Sequence, residues 1–198
     1  MKFDPILCDL DGTLVDSAPA ITTALRIAFS TCGVELDPTQ DLYSFVGPPL
    51  DRMLAKVIPE PDTVARVLKV YRQEYSRIIE VSTPLMPSAD DAVRAFSKAG
   101  AKLGVVTYKP TPLAEVVLGG TGLLSLFDLV VGTIPREAPR SKAELLQDAL
   151  IALLPHRRAP VYVGDHAEDR EAAAGCGVAF IAYGPNNWPD IMRRVFST

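Results

Sequence analysis

This sequence predicts a doubly wound α/β fold, a parallel sheet with helices on both faces and a small helical unit inserted after the first strand. Three observations carry that reading. Short apolar runs such as Ile6-Leu7-Cys8-Asp9-Leu10 and Leu103-Gly104-Val105-Val106-Thr107 lack alternation, as strands buried on both faces do. From residue 85 onward such runs alternate with helical segments, the rhythm of a parallel sheet. From residue 15 to residue 84 the pattern is helical and the β-branched runs disappear. The chain is accordingly divided into a core, residues 1–14 and 85–198, and an insertion, residues 15–84.

The elements follow in order. The first strand ends abruptly at the turn signal Asp11-Gly12-Thr13. Ile21, Leu25, Ala28, Phe29 and Cys32 recur at helical spacing, with Gly33 as the stop. Asp37-Pro38 predicts an N-cap followed by proline at the first helical position. Asp62 is assigned the cap of a longer helix striped by Val64, Val67, Leu68, Tyr71, Tyr75 and Ile78, which makes the two tyrosines core residues. Asp16 and Ser17 are likewise read as caps. Past residue 84, Ser88 to Lys98 is a helix ended by Gly100, and a second strand follows. A helix starts near Thr111-Pro112, and Phe127 to Gly132 is a third strand. Ser141-Lys142-Ala143-Glu144 has capping-box spacing. Pro160 to Gly164 and Val178 to Ala182 are the last strands, with a short alanine-rich helix between them.

Composition narrows the function classes. Twenty basic against 24 acidic residues leave a net charge of −4 over 198 residues, with no basic run to follow a nucleic-acid backbone or an anionic membrane. Three cysteines (Cys8, Cys32, Cys176) without C-x-x-C spacing argue against a disulfide framework and a cysteine zinc site. No apolar run suggests a membrane span, and Asp4-Pro5 stands where a signal peptide needs an apolar stretch. The expectation is a reduced, cytoplasmic protein; nothing in the sequence specifies an oligomeric state.

In open parallel sheets ligands gather at the carboxyl ends of the strands. Asp9 and Asp11 end the first strand, Thr107 the second and Asp165 the fourth, with Asp169 one helical turn beyond. Lys142 heads the helix after the third strand. Alternation along a strand points Asp9 and Asp11 into one pocket. Four carboxylates on one rim repel each other unless a divalent cation sits among them, and an all-oxygen set suits magnesium better than zinc. A lysine and a hydroxyl beside that cation suit a phosphate dianion.

The string Asp9-Leu10-Asp11-Gly12-Thr13-Leu14-Val15 resembles the opening motif of the haloacid dehalogenase superfamily of phosphohydrolases. Thr107, Lys142 and Gly164-Asp165-His166-Ala167-Glu168-Asp169 follow in that family's order, so the resemblance covers nearly the whole chain. It implies a Rossmann-like core and makes the insertion the cap of a phosphoglycolate phosphatase-like branch. It implies a Mg²⁺-dependent phosphatase acting on a small phosphorylated metabolite. In that scheme Asp9 is the nucleophile that forms an aspartyl-phosphate and Asp11 the general acid and base. The metal falls to Asp9, the Asp11 carbonyl and Asp165, with Asp169 nearby. Thr107, Lys142 and the amides around Gly12 hold the phosphate. A cap loop, here Gly47-Pro48-Pro49, would bear on specificity through Gly47 and Pro48.

Two departures stand out. Tyr108 replaces the asparagine common after the motif threonine, and Pro87-Ser88 replaces a common proline-glycine, which reads as a plain helix cap. Neither His166 nor His156 is assigned a role. The motifs leave open a phosphomutase resembling β-phosphoglucomutase, and a non-catalytic phospho-ligand module akin to receiver domains. The early position of Asp9 and the helical insertion count against the module.

Overall fold

The strand β1 (Ile6–Cys8) occupies the centre of a five-stranded parallel sheet. It pairs on one side with β2 (Leu103–Pro110), which carries β3 (Leu129–Thr133) beyond it. On the other side it pairs with β4 (Val161–Gly164), followed by β5 (Ala179–Ala182). The order is β3-β2-β1-β4-β5, which winds outward in both directions from the centre and so gives the doubly wound sheet that the sequence predicts without its strand order. The computed structural model describes residues 1–37, 39–79, 83–134, 138–155 and 157–197. The chain falls into two compact units, Met1–Asp16 with Leu85–Thr198, and Ser17–Pro84.

In the first unit the crossovers are α4 (Ala89–Lys98), α5 (Thr111–Gly120), α6 (Lys142–Ala152) and α7 (Ala167–Gly175), numbered after three helices of the other unit. Leu7, Val106 and Tyr162 share one sheet face and pack with Leu145, Leu146 and Ala149 of α6 and Ala173 of α7. The alternate residues Ile6, Val105, Val161 and Val163 are equally buried, so both faces are covered. The capping box forms as its spacing predicts: Ser141 Oγ accepts from Glu144 N, and Glu144 Oε2 accepts from Ser141 N at 2.7 Å.

Several boundaries differ from the sequence reading. The first strand stops at Cys8, two residues short of Leu10, although Asp9 N still donates to Val163 O at 2.8 Å. Conversely, β2 runs past Thr107 to Pro110, with an irregular register against β3 after Val106. A last helix, α8 (Trp188–Phe196), follows the elements that the sequence predicts; its buried residues Trp188, Ile191 and Val195 have helical spacing. Trp188, the chain's one tryptophan, donates from Nε1 to Thr13 O at 3.0 Å and so ties α8 to the loop after β1.

Ser88 is more than a plain cap. It holds φ +64° with no side-chain capping bond, the left-handed conformation that a glycine takes without strain. Ser88→Gly is expected to stabilise the protein by about 0.5 kcal/mol, the relief of strain exceeding the added chain entropy. A raised urea midpoint would show it.

The second unit holds α1 (Ala18–Cys32), a 3-10 turn (Leu42–Phe45), α2 (Leu50–Val57) and α3 (Pro61–Ile78). Gly33 ends α1 in the left-handed region at φ +67°, as predicted. Asp37 starts no helix: its carboxylate accepts from Thr39 N and Oγ1 and closes a local turn, while Pro38 lies outside the described residues. Asp62 is not the cap of α3 but part of its first turn, because Pro61 already begins the helix and Glu60 precedes it. Ser17 is at the N-cap position of α1 without a side-chain capping bond. Tyr71 and Tyr75 stack at 5.3 Å between ring centroids, with Tyr75 buried. Among the described residues no helix is long and apolar enough to cross a membrane.

Candidate active site

The site lies at the carboxyl edge of the sheet in the first unit. Asp9 and Asp11 sit beyond the end of β1, so strand alternation does not orient them. The turn does: Leu14 N donates to Leu10 O at 3.0 Å and Gly12 N to Val15 O at 2.9 Å. Each aspartate is buried and has its own ammonium. Lys142 Nζ donates to Asp9 Oδ1 at 2.7 Å. Lys109 Nζ lies 2.5 and 2.7 Å from the two Asp11 oxygens. Lys109 was not singled out from the sequence, yet a signal existed. It stands two residues after Thr107 on one strand, the spacing that shares a face.

Lys142 is the first residue of α6, and its ammonium also reaches Asp169 Oδ1 at 2.9 Å. Asp169 is fully buried; it accepts from His166 N at 3.0 Å, and the Tyr162 hydroxyl is 3.0 Å from its Oδ1. The Val106 carbonyl, also 3.0 Å away, competes for the one phenolic proton. Gly164, the last residue of β4, leaves room for Asp169, whose carboxylate a β-carbon there would overlap. Asp165 is the solvent-facing acid of the group and accepts from Thr13 Oγ1 at 2.7 Å. The side chain of His166 is partly exposed, 3.7 Å from Asp165; His156 lies outside the described residues.

Burial and charge set the proton affinities. Burial pushes the Asp9 carboxyl up to about 8; Lys142 opposes this, while Asp169 and Asp11 add to it. Burial alone would push the Lys142 ammonium down, but Asp9 and Asp169 beside it raise it overall. Burial also raises Asp165, against the hydrogen bond from Thr13.

Asp9, Asp165 and Asp169 each offer an oxygen within 4.8 Å of the others, a cluster that can hold a metal ion. The donor set is all carboxylate, which suits a hard cation. With all four carboxylates ionised (Asp9, Asp11, Asp165, Asp169), the two ammoniums of Lys109 and Lys142 leave two negative charges, which a divalent cation would neutralise.

Gly12, at φ +85°, lies where a side chain would overlap Asp165 Oδ2. Thr107 is buried within β2, and its Oγ1 accepts from Lys109 N at 3.1 Å. Tyr108, the departure from the common asparagine, accepts at its hydroxyl from Lys142 N at 2.9 Å. Gly47 and Pro48 belong to the second unit, in the loop between the 3-10 turn and α2.

The fold and the acidic rim fit a site for a phosphate and a cation, and the comparisons with known proteins give the family and, through its phosphatase relatives, the class, a hydrolase of phosphomonoesters. The chain belongs to the haloacid dehalogenase-like hydrolases, whose family model matches residues 6–183. It is 27% identical to the phosphoglycolate phosphatase of Nitrosospira multiformis, over 94% of this chain and 86% of that one. A haloacid dehalogenase-like hydrolase from Streptococcus pneumoniae superposes with a TM-score of 0.81 at 28% identity, covering 96% of this chain and 91% of that one. The Protein Tyrosine Kinase A of Mycobacterium tuberculosis has the same TM-score, 0.81, at 29% identity, covering 93% and 87%.

Proposed function

We propose that the protein is a Mg²⁺-dependent phosphatase that hydrolyses a small phosphorylated metabolite, phosphoglycolate-like in class, through an aspartyl-phosphate on Asp9. The observation that carries the reading is the separation of the two motif aspartates by their partners. Asp9 is bound to Lys142 inside the three-acid cluster, and Asp11 is bound to Lys109 outside it. The curated relatives named phosphoglycolate phosphatase support the substrate class.

Asp9, Asp165 and Asp169, with the Asp11 carbonyl, would hold the cation. When bound it supplies positive charge that lets a carboxylate approach a phosphate dianion. Asp9 attacks phosphorus and the ester P–O bond breaks. Asp11 gives a proton to the leaving oxygen, then takes one from the water that cleaves the aspartyl-phosphate. Giving that proton requires Asp11 to turn away from Lys109, which now occupies both of its oxygens. Thr107 already accepts from Lys109 N, which leaves its hydroxyl proton for a phosphate oxygen. Lys142 neutralises charge developing on the transferred group. We assign Gly47 and Pro48, in the inserted unit, to substrate selection as part of a cap.

Gly12→Ala tests the rim. Its methyl displaces Asp165, so the Mg²⁺ concentration giving half-maximal activity is expected to rise about 10- to 100-fold. An unchanged Mg²⁺ requirement would remove Asp165 from the metal site.

The function itself is tested by phosphate release from a panel of phosphorylated metabolites, with and without Mg²⁺, with Asp9→Asn as the blank. Release that needs Mg²⁺ and Asp9 and favours one substrate supports the proposal, and silence across the panel overturns it. The likeness to a tyrosine kinase at 29% identity favours one second reading, transfer of the phosphoryl group to an acceptor hydroxyl. A phosphorylated acceptor in place of inorganic phosphate would identify it.

A further inference from the structure

We propose that Tyr108 is a positioning residue that grips Lys142 at both ends and aims its ammonium at the transferred phosphate; the catalytic part of this rests on the phosphatase reading above. Lys142 opens α6, so its backbone N–H has no acceptor within the helix. The Tyr108 hydroxyl accepts that N–H at 2.9 Å. The ring of the same tyrosine faces the other end of the side chain, 4.9 Å from Nζ to the centroid, within cation–π range. One residue thus holds both the first turn of α6 and the tip of its lysine.

The chemistry of that grip matters for a phosphate ligand. An ammonium has three hydrogen-bond donors. Two go to Asp9 Oδ1 and Asp169 Oδ1, at 2.7 and 2.9 Å. An aromatic face attracts the cation through its quadrupole without accepting one of its hydrogen bonds, so the third donor is kept for an oxygen of the substrate. An asparagine at this position, with its carbonyl oxygen, would compete for such a donor. The partly buried tyrosine packs against the core cluster that includes Leu145 and Leu146 of α6, so the ring has a firm backing.

The test compares Tyr108→Phe, which keeps the ring, with Tyr108→Leu, which loses both ring and hydroxyl. Phosphate release by Tyr108→Leu is expected to show kcat about tenfold lower, with KM changed less than about twofold. Tyr108→Phe is expected to recover all but about threefold of kcat. A role in packing alone would lower the melting temperature of both variants and leave kcat untouched. A readout independent of turnover comes from NMR of lysine-labelled protein, with Lys142 assigned by the loss of its signal in Lys142→Arg. Ring current is expected to shift the Lys142 ε-methylene and ammonium resonances upfield in the wild type and in Tyr108→Phe, but not in Tyr108→Leu. A shift that survives in Tyr108→Leu, or wild-type kcat in that variant, overturns the proposal. Silence of the wild type on every phosphomonoester, with the shift present, overturns the phosphatase reading and supports the grip.

Discussion

Asp9→Asn is expected to lower phosphate release by at least about a thousandfold while the fold is retained. The amide matches the carboxylate in size, and its oxygen can still accept from Lys142, which keeps Asp169 as its counter-ion at 2.9 Å. What is lost is the nucleophile, since an amide forms no acyl phosphate. Stability should not fall. Burial pushes the Asp9 carboxyl up, with Asp169 and Asp11 adding to the cost of its charge, and removing that charge relieves them. Phosphate release and a urea midpoint, measured on one preparation, decide the matter. A variant with wild-type turnover would remove Asp9 as the nucleophile, and one that is unfolded would show that its charge is structural.

Removing divalent cations should have a comparable effect on turnover and a second one on stability. Release is expected to fall by more than about a hundredfold on chelation, the equivalent of several kcal/mol of lost charge stabilisation, and to return with Mg²⁺. The metal-free fold should also respond to pH. The Asp9 carboxyl has an affinity raised from the ordinary carboxylate value, 3.8, to about 8, so the folded state binds a proton that the unfolded chain releases. Stability from this group is therefore fully present below about 4 and is lost as pH rises towards about 8. A bound cation takes over the proton's role, so Mg²⁺ should stabilise more at pH 8 than at pH 5. Trp188, buried and hydrogen-bonded to the loop that follows Asp9, supplies a fluorescence signal for the melting curve. A gain in melting temperature of about 5 °C or more at pH 8, shrinking at pH 5, is the expected pattern. Curves that coincide with and without Mg²⁺ across this range would separate the acidic cluster from metal binding.

Much of this architecture was legible in local sequence. Unalternating apolar runs mark β1, β2 and β4 because a central parallel strand has no solvent face to make polar, and the edge strands β3 and β5 follow the same run-and-turn rhythm with partial exposure. Gly33 and the Ser141–Glu144 box mark helix ends because capping acts over three or four residues. Asp37 shows the limit of that signal: a carboxylate followed by proline also closes a turn, and the turn was formed. The aspartates of the first and last motifs were legible by type and spacing, and so was their need for positive charge.

One source of that charge, Lys142, was legible as a phosphate partner; Lys109 was not, nor was which aspartate each lysine meets. Lys109 is 98 residues from Asp11, and Lys142 is 133 residues from Asp9. Strand order brings them together, by laying β2 on one side of β1 and β4 on the other, and no local pattern encodes that order. The same holds for Ser88, whose left-handed backbone is set by the chain entering α4, and for Tyr108, whose two contacts exist only once α6 has docked. Fold class, helix ends and the acidic motif depend on interactions a few residues long, so a single sequence carries them. Which lysine neutralises which aspartate, and what aims that lysine, depends on contacts closed across the sheet, and only the folded chain decides them.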